Sequence, residues 1–428
     1  MRILTNEETP LDWESRKIGY YVEKHKGGAP LKPSDFSESG FPVIPKKAIQ
    51  PGNQLVIKGQ TYCTTQFADE NTRSIVDNSY TITTLRDLVP TGPTIGTVVN
   101  FYTDERYILS QGVYGLKLKD KISRDYFAYL SNTSLYRNVM RRVMVGSTQV
   151  HIRTPEYLNL EIQTPPLQEQ RKIAHILSTW DKAIATTKKL IDASKQQKKA
   201  LMQQLLTGKK RLVDPETGKA FEGEWEEVKL GDVCIVNPKK ASEPENGLVS
   251  FIPMDAVSED AKLLRKEVKQ YSEVFKGFTA FIDGDVLVAK ITPCFENGKG
   301  AQVFGLENGV GFGSTEFHVL RAKKNISSEF IYFLTNTSGF RIRGEMNMQG
   351  SAGQKRVTTD YLKLYKMTIP KELAEQQKIA SVLTAVDKEI ELLEAKLAHL
   401  KQEKKALMQQ LLTGKRRVKV EHMEEATC

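Results

Sequence analysis

Two short stretches combine side chains that could contact nucleic-acid bases with side chains that could contact phosphates. They are RRVMVGSTQVHIR at residues 141–153 and MNMQGSAGQKRVTTDY at residues 346–361. Arg and Lys can donate to guanine O6 and N7, Gln can pair bidentately with adenine, and backbone amides with Ser or Thr can hold a phosphate. A solvated turn before a strand would explain either stretch alone, but the glycine-serine turn occurs in both, which favours binding. The candidate base-contacting residues are Gln149, His151, Arg153, Lys290, Gln354, Lys355 and Arg356, with Arg73 and Arg86 as further candidates.

The sequence lacks the motifs of common catalytic and metal sites. There is no GxxxxGK[ST] phosphate loop, no HExxH, and no aromatic Asn/Asp-Pro-Pro stretch of the kind expected in an amino-methyltransferase. Asp283 and Asp285 in FIDGDVLVAK could be paired carboxylates, but a turn entering a strand explains them, and turn glycines explain NGVGFGS at 308–314. Because these motifs are missing, we expect no catalytic residue. We also expect no metal site, because the cysteines and histidines are not spaced as metal ligands; they are Cys63, Cys234, Cys294, Cys428, His25, His151, His175, His318, His399 and His422.

A duplicated phrase marks the elements that must position the candidate residues. KKALMQQLLTGK occurs at 198–209 and again, unchanged, at 404–415, and the match extends upstream without a gap to LQEQRKIAHILSTWDKAI and LAEQQKIASVLTAVDKEI. Apolar residues recur there in steps of three and four, the heptad pattern of a coiled coil. The predicted helix-helix seam consists of Ile173, Leu177, Trp180, Ile184, Ile191, Leu201 and Leu205 in the first copy and Ile379, Leu383, Val386, Ile390, Leu393, Leu397, Leu400, Leu407 and Leu411 in the second.

The two predicted helices should lie side by side. Thr187, Ser194 and Lys198 weaken the seam in the first copy, and Lys404 interrupts it in the second. The intervening segment is domain-sized, and a compact domain returns the chain near the point where it left, so we expect the helices to run antiparallel. Basic residues follow both helices, as KKR at 209–211 and KRR at 415–417, where they could complement the helix dipole or contact phosphate.

A globular segment precedes each long helix, and the two segments echo each other. ISRDYFAYLSNTS at Ile122 corresponds to ISSEFIYFLTNTS at Ile326, whereas the sequences between such landmarks differ almost completely. Short β-prone runs such as YTITTL and DVLVAKI alternate with turn signals, and YFAYLSNTSLYRNVMRR and FIYFLTNTSGFRIRGEM are predicted to be helical. The expected fold class is α+β, with two globular α/β domains joined by two long antiparallel helices in an internal pseudo-twofold repeat.

Composition restricts the environment and the partners. The chain has 428 residues with 39% hydrophobic content, long enough for two domains, and it has no apolar run long enough to span a membrane. The N-terminal stretch lacks the apolar core of a signal peptide, so we expect a cytoplasmic protein without a membrane partner. A formal net charge of +10 favours a polyanionic partner.

The sequence resembles the specificity subunits of type I restriction-modification systems. The resemblance rests on the two KKALMQQLLTGK helix endings, the helix entries PPLQEQRKIAHIL and KELAEQQKIASVL, and the GS turns before EYLNLEIQTPP and DYLKLYKMTIP, and it covers essentially the whole chain. It implies target-recognition domains at 1–166 and 210–370 and long helices at 167–209 and 371–415. A basic, then acidic tail follows at 416–428.

A subunit of this family would read a split, asymmetric site in double-stranded DNA with an unread gap between the halves. Its helices would act as a spacer and as the dock for two methyltransferase subunits, with ATP-driven restriction subunits joining later. The resemblance implies that S-adenosylmethionine and ATP with magnesium bind to those partners and that this chain needs no cofactor. The alternatives are a coiled-coil scaffold or regulator that binds no DNA, the recognition subunit of a fused restriction-methylation system, and a stand-alone DNA-modifying enzyme.

Overall fold

The computed structural model describes residues 10–420 except for residues 51, 53, 58–60 and 352. The chain forms two units, one composed of Met1–Thr187 with Lys396–Cys428 and the other of Lys188–Ala395. Each unit contains one globular segment and parts of both long helices. His422 and Cys428, considered above as possible ligands, lie outside the described residues.

The globular part of the first unit is built from short helices and strands. Its helices are α1 (Ile18–Tyr21), α2 (Thr65–Glu70), α3 (Arg124–Ser131), α4 (Ser134–Val143) and α5 (Thr154–Leu158). Its strands are β1 (Glu14–Lys17), β2 (Val22–Gly27), β3 (Phe36–Ser37), β4 (Phe41–Ile44), β5 (Ile49–Gln50), β6 (Gln54–Leu55), β7 (Tyr62–Cys63), β8 (Ile75–Val76), β9 (Tyr80–Thr84), β10 (Arg86–Asp87), β11 (Val98–Asn100), β12 (Tyr107–Leu109), β13 (Val113–Leu118), β14 (Val150–His151) and β15 (Glu161–Thr164).

These strands form two larger sheets and several two-stranded pairs. The orders are β11-β9-β13-β2 and β3-β7-β4-β12-β8, with β1-β15, β10-β14 and β5-β6 as pairs. All five residues of β9 are buried, and its run of Thr and Ile suits a strand that packs on both faces. A core cluster joins α3, α4 and β14 to residues near the start of one long helix and the end of the other, including Ile173, Leu177, Leu411 and Leu412.

The second unit repeats this plan with different strands. Its helices are α7 (Leu230–Val233), α8 (Tyr271–Val274), α9 (Ser328–Thr335), α10 (Ser338–Met346) and α11 (Thr359–Leu364). Its strands are β16 (Trp225–Lys229), β17 (Cys234–Val236), β18 (Leu248–Ile252), β19 (Glu267–Gln270), β20 (Thr279–Ile282), β21 (Val286–Ala289), β22 (Gly300–Gln302), β23 (Val310–Gly313), β24 (Phe317–Ala322) and β25 (Lys366–Pro370). They form sheets of order β17-β24-β21-β22 and β19-β18-β23-β20 and the pair β16-β25.

One sequence interpretation is wrong here. Gly311 and Gly313 of NGVGFGS do not lie in a turn, because Val310–Gly313 is a buried strand between β18 and β20. Its glycines leave room for the ring of Phe281 on the neighbouring strand. Gly309 alone lies in the preceding turn, with a positive φ of 69°.

Each predicted helical stretch near the end of a globular domain is two helices rather than one. The break falls at Thr133, whose hydroxyl accepts a hydrogen bond from Tyr136 N and donates to Leu130 O. Thr337 makes the same contacts with Phe340 N and Leu334 O in the second unit. A threonine at this position caps the second helix and satisfies a carbonyl of the first, so the shared Asn-Thr-Ser sequence ends one helix and begins the next.

The two long helices are α6 (Leu167–Leu205) and α12 (Leu373–Leu411), and each has 39 residues. At 1.5 Å per residue, each is about 58 Å long. They run antiparallel within each unit. Asp181 lies against Lys404 in the first unit, and Lys195 and Lys198 lie against Glu394 and Asp387 in the second, so partner numbers fall as residue numbers rise. All sixteen predicted seam residues are buried or half-buried.

The lysines that interrupt the predicted seam are paired rather than left in an apolar environment. Lys404 contacts Asp181 at 2.5 Å and lies 5.3 Å from the ring centroid of Tyr129. Lys198 contacts Asp387 at 2.6 Å and lies 5.6 Å from the ring centroid of Phe333. Charged pairs at seam positions can fix the register of two helices, because a shifted register would leave both charges without a partner.

The basic residues after the helices have a role that was not foreseen. Arg211 donates two hydrogen bonds to Glu375, at 2.6 and 2.8 Å, and Arg417 donates to Glu169 at 2.8 and 2.7 Å. Both carboxylates are buried. The arginine after each long helix therefore holds the first turn of the other helix, and neither arginine is a simple dipole complement or a free phosphate contact. We call these two pairs the Arg-Glu locks.

Candidate nucleic-acid interface

The glycine-serine turn of the first unit is the tip of a tight hairpin. Val145 and His151 exchange two backbone hydrogen bonds of 2.9 Å, which close the hairpin. Gly146 has a φ of 119°, and a Cβ atom at this position would lie 2.0 Å from Gln149 O. The turn therefore requires glycine. We call residues 145–151 the first hairpin.

Three of the predicted residues share the exposed face at the end of this hairpin. Gln149, His151 and Arg153 are exposed, whereas the intervening Val150 and Ile152 are buried in the core of the unit. Arg86 joins them because β10 pairs with β14 in a register that places Arg86 opposite His151. Arg73 lies in a separate turn at Thr72–Ser74, and no described contact connects it to this face.

The surroundings of the first hairpin are basic. Arg141 and Arg142 are exposed in the last turn of α4, directly before the hairpin. The carboxylate of Asp87, beside Arg86, does not neutralise this face, since it is buried and accepts hydrogen bonds from Lys46, from Val89 N and from both the amide and the hydroxyl of Thr94. A surface that presents cations around exposed Gln and His side chains suits a polyanion with readable bases.

Asp87 should make the first unit sensitive to acid. Burial raises the pKa of its carboxyl group, but the hydrogen bonds from Thr94, Lys46 and the backbone outweigh burial and lower the pKa to about 2. Because the folded-state pKa lies below the unfolded value of about 3.9, this stabilisation is present above pH 4 and is lost as the pH falls toward 2. We expect Asp87→Asn to lower the unfolding temperature at pH 7 and to reduce its decrease between pH 4 and 2, measured by circular dichroism. An unchanged acid transition would contradict this role.

The second unit contains an equivalent hairpin, residues 349–356, which we call the second hairpin. Gln349 and Arg356 exchange backbone hydrogen bonds of 2.9 and 2.8 Å, and Gly350 has a φ of 125°. The strand side of the hairpin is held to the segment after β21, since Val357 N donates to Lys290 O and Thr292 N donates to Lys355 O. The structure thus brings Lys290, Gln354, Lys355 and Arg356 together.

These four residues are not equally available for a ligand. Gln354 and Lys355 are exposed and Lys290 is half-buried. The guanidinium group of Arg356 is engaged with Glu316, with three N–O distances between 2.9 and 3.2 Å. Hydrogen bonds from Arg356 lower the pKa of the Glu316 carboxyl group, so the pair is charged and fixes the hairpin. Gln354 and Lys355 are therefore the better placed of the four to contact bases.

Two arginines that sequence reasoning missed, the half-buried Arg137 and the buried Arg341, support the loops around the hairpins. Arg137 donates to the carbonyl oxygens of Gly92, Pro93 and Ile95, and Arg341 donates to those of Phe295 and Gly298. Burial lowers the pKa of Arg341 to about 10. The signal for both was present in the echoed stretches NTSLYR and NTSGFR, where each arginine follows the capping threonine by four residues. Each arginine replaces water for several carbonyls and so fixes the loop shape.

The described residues offer no metal site. Among them, no cluster of three or more His, Cys, Asp or Glu side chains could bind an ion. Asp285 is buried and paired with Arg321 at 2.7 Å, and Asp283 accepts a hydrogen bond from Leu306 N at 2.9 Å, so both serve the fold. Of the described helices, none combines the length and apolar character that a membrane crossing requires.

Comparison with known proteins identifies the family that has this repeated arrangement. The family model described as the type I restriction modification DNA specificity domain matches twice, at residues 10–195 and 222–402. The chain belongs to this family. The two matches of the specificity-domain family coincide with the two halves of the internal repeat, so the predicted resemblance and the α+β fold class are confirmed.

Relatives within the specificity-domain family cover the chain to different extents. The EcoEI specificity subunit from Escherichia coli is 37% identical over 37% of this chain, but that match spans 27% of the relative, and the match to the EcoAI subunit spans 26%. The MjaVIII specificity subunit from Methanocaldococcus jannaschii is 26% identical over 96% of this chain and 94% of its own. A solved S subunit from M. genitalium shares the fold, with a TM-score of 0.54, 13% identity and coverage of 98% and 99%.

Proposed function

We propose that this chain is the DNA-recognition subunit of a type I restriction-modification complex and that each unit reads one half of a bipartite target. The observation that carries the proposal is the repeated hairpin. Its backbone bridge and its glycine are the same in both units, whereas its exposed side chains differ, with Gln149 and His151 in one and Gln354 and Lys355 in the other. The two hairpins are closed in the same way, although the second is one residue longer. Because they carry different reading groups, they should recognise two different sequences, which makes the full target asymmetric.

The proposed partners supply the chemistry that this chain lacks. Two methyltransferase subunits would dock on the chain and bind S-adenosylmethionine, and restriction subunits would bind ATP and magnesium. Methylation of a base within a duplex requires its extrusion from the stack, which the methyltransferase must perform. Half-sites read by separate units would leave unread base pairs between them. Such a complex acts on cellular DNA, so we propose the cytoplasm as its location.

Mapping methylated adenines across the genome tests the proposal. Cells with the chain should carry methylation at one split motif, and cells without it should lose methylation there and nowhere else. A coiled-coil scaffold that binds no DNA predicts no such difference. A stand-alone modifying enzyme predicts methylation by the purified chain with S-adenosylmethionine alone.

A single glutamine should control the specificity of one half-site. Gln354→Ala removes an exposed side chain from the second hairpin without touching the core, so assembly with the methyltransferase should persist. A bidentate contact to a base is worth about 1–3 kcal/mol of discrimination, so the map should show one relaxed position in one half of the motif. Gln149→Ala is the matched variant and should relax the other half. Methylation maps identical to that of the unmodified chain would remove both residues from base recognition.

A further inference from the structure

Three cations surround one exposed aromatic ring in the first unit, away from the predicted base-contacting residues. Arg16 Cζ lies 5.4 Å from the ring centroid of Tyr20, Lys119 Nζ lies 5.9 Å from it, and Lys121 Nζ lies 5.0 Å from it. Lys121 also donates a hydrogen bond of 3.0 Å to the Tyr20 hydroxyl group. All four side chains are exposed. We call Arg16, Tyr20, Lys119 and Lys121 the Tyr20 patch.

The carboxylate contact made by Arg16 does not close the patch to an anion. Glu14 approaches Arg16 at 3.3 Å, but both side chains are more than half exposed, and such a pair is weak enough to yield to a stronger anion. Asp120 lies between the two lysines in sequence, and Glu161 stands opposite Lys17 on the neighbouring strand. The Tyr20 ring gathers three cations, and convergent cations favour binding of an anion.

The fold does not need these charges. Lys119 N donates to Tyr21 O, and Lys323 N donates to Val233 O, which identifies the equivalent positions in the second unit. There, Val228, Asp232 and Asn325 replace Arg16, Tyr20 and Lys121, and the helix forms in the same way. Lys323 is the exception, but its ammonium group donates to Gly231 O and Asp232 O and is not free. The patch is therefore a property of the first unit rather than of the scaffold.

A short helix connects the patch to the segment that follows the first hairpin. A cavity of about 520 Å³ beside Tyr20 is also lined by Pro155 and Leu158 of α5. Helix α5 begins directly after Arg153, and its residues Pro155 and Leu158 line the cavity, so one five-residue helix lies along the chain between the exposed face and the patch. Such a helix is about 7.5 Å long, which is short compared with one turn of B-DNA, about 34 Å, so one duplex could contact both.

We propose that the Tyr20 patch binds the phosphodiester backbone of DNA beside the half-site read by the first unit. The inference rests on the proposed function and deepens it, because it assigns the phosphate contacts of one unit. Base contacts select a sequence, whereas phosphate contacts add affinity that depends on salt and carries no sequence information. The patch should therefore contribute salt-dependent affinity to the first unit.

The test uses the full chain, assembled with its methyltransferase subunits, with Arg16→Gln, Lys119→Gln and Lys121→Gln combined. DNA affinity is measured against salt concentration on target DNA and on DNA without the target. The slope of log K against log salt should fall by about 2–3, since each phosphate contact contributes about 0.9. Near 0.1 M salt, both DNAs should bind more weakly by the same factor, on the order of 100- to 1,000-fold. Their affinity ratio should not change.

A control with the same loss of charge distinguishes the patch from general electrostatics. Lys363→Gln, Lys366→Gln and Lys371→Gln also remove three positive charges, from exposed positions in the second unit. An equal fall in slope for this control, or an unchanged slope for the patch variant, would overturn the inference. Loss of the methyltransferase from the patch variant with an unchanged slope would show that the patch binds an acidic protein surface instead. If the unmodified complex preferred no DNA sequence, the proposed function itself would fail, which is a different result.

Discussion

Replacing Gly146 by alanine should abolish recognition of one half-site while the protein remains folded. The added Cβ atom would lie 2.0 Å from Gln149 O and 3.1 Å from the Gln149 carbonyl carbon, and the φ of 119° is unfavourable for any L side chain. The first hairpin must therefore change shape. Gln149 and His151 would no longer be presented together, and the loss of two base contacts at about 1–3 kcal/mol each should reduce the preference for target DNA by about 100-fold or more.

The measurement is the ratio of affinities for target DNA and for DNA with the first half-site scrambled. Gly277→Ala is the matched control, since Gly277 also has a positive φ, of 83°, but no atom lies within 4 Å of a Cβ placed there. That variant should retain the full preference. Equal ratios for Gly146→Ala and the unmodified chain would show that the first hairpin does not read DNA.

Removal of an Arg-Glu lock should have the largest effect on stability. Arg211→Ala leaves the carboxylate of Glu375 buried without its cation, because Glu375 is fully buried and Arg211 donates two of its hydrogen bonds. Breaking a buried ion pair in this way costs about 3–5 kcal/mol, and partial exposure of the arginine places the expected loss near 3 kcal/mol. Hydrogen exchange should show the loss in the second unit, where α12 begins.

Two further variants identify the cause. Lys371→Ala removes the cation of an exposed pair with Glu224, at 2.7 Å, and should change nothing measurable. Arg211→Met combined with Glu375→Leu removes both charges, and it should recover most of the lost stability because no unpaired carboxylate remains. If the double variant were as unstable as Arg211→Ala, packing rather than charge would explain the effect.

The sequence predicted the repeated elements well because their signals are local. The heptad pattern and the duplicated phrase predicted α6 and α12, and the domain-sized segment between them predicted their relative direction. The helices end at Leu205 and Leu411, four residues before the predicted bounds. The GS sequences likewise predicted a turn in each half, and Gly146 and Gly350 have the positive φ values that such a turn requires. Which residues contact DNA remains a prediction.

What escaped prediction depends on pairs that are distant in the chain. Arg86 lies opposite His151, Arg356 pairs with Glu316, and Lys404 reaches Asp181, 223 residues away. No periodicity encodes such partners, so an arginine in a base-reading loop could not be distinguished from one that holds the loop in place. The repeat offered one missed clue, because Asp181 and Asp387 occupy the same position in the two copies of the helix, as do Lys198 and Lys404.

The chain segments that form the two units have a consequence for folding during synthesis. The second unit is one continuous stretch, Lys188–Ala395, whereas the core of the first unit includes Leu411 and Leu412, and Arg417 holds its Glu169. Domains generally fold in order as they leave the ribosome. Here the first unit is translated first but cannot complete its core until residues near 417 have emerged from the ribosome. Its apolar surface should therefore stay exposed during synthesis, and the second unit can fold before it.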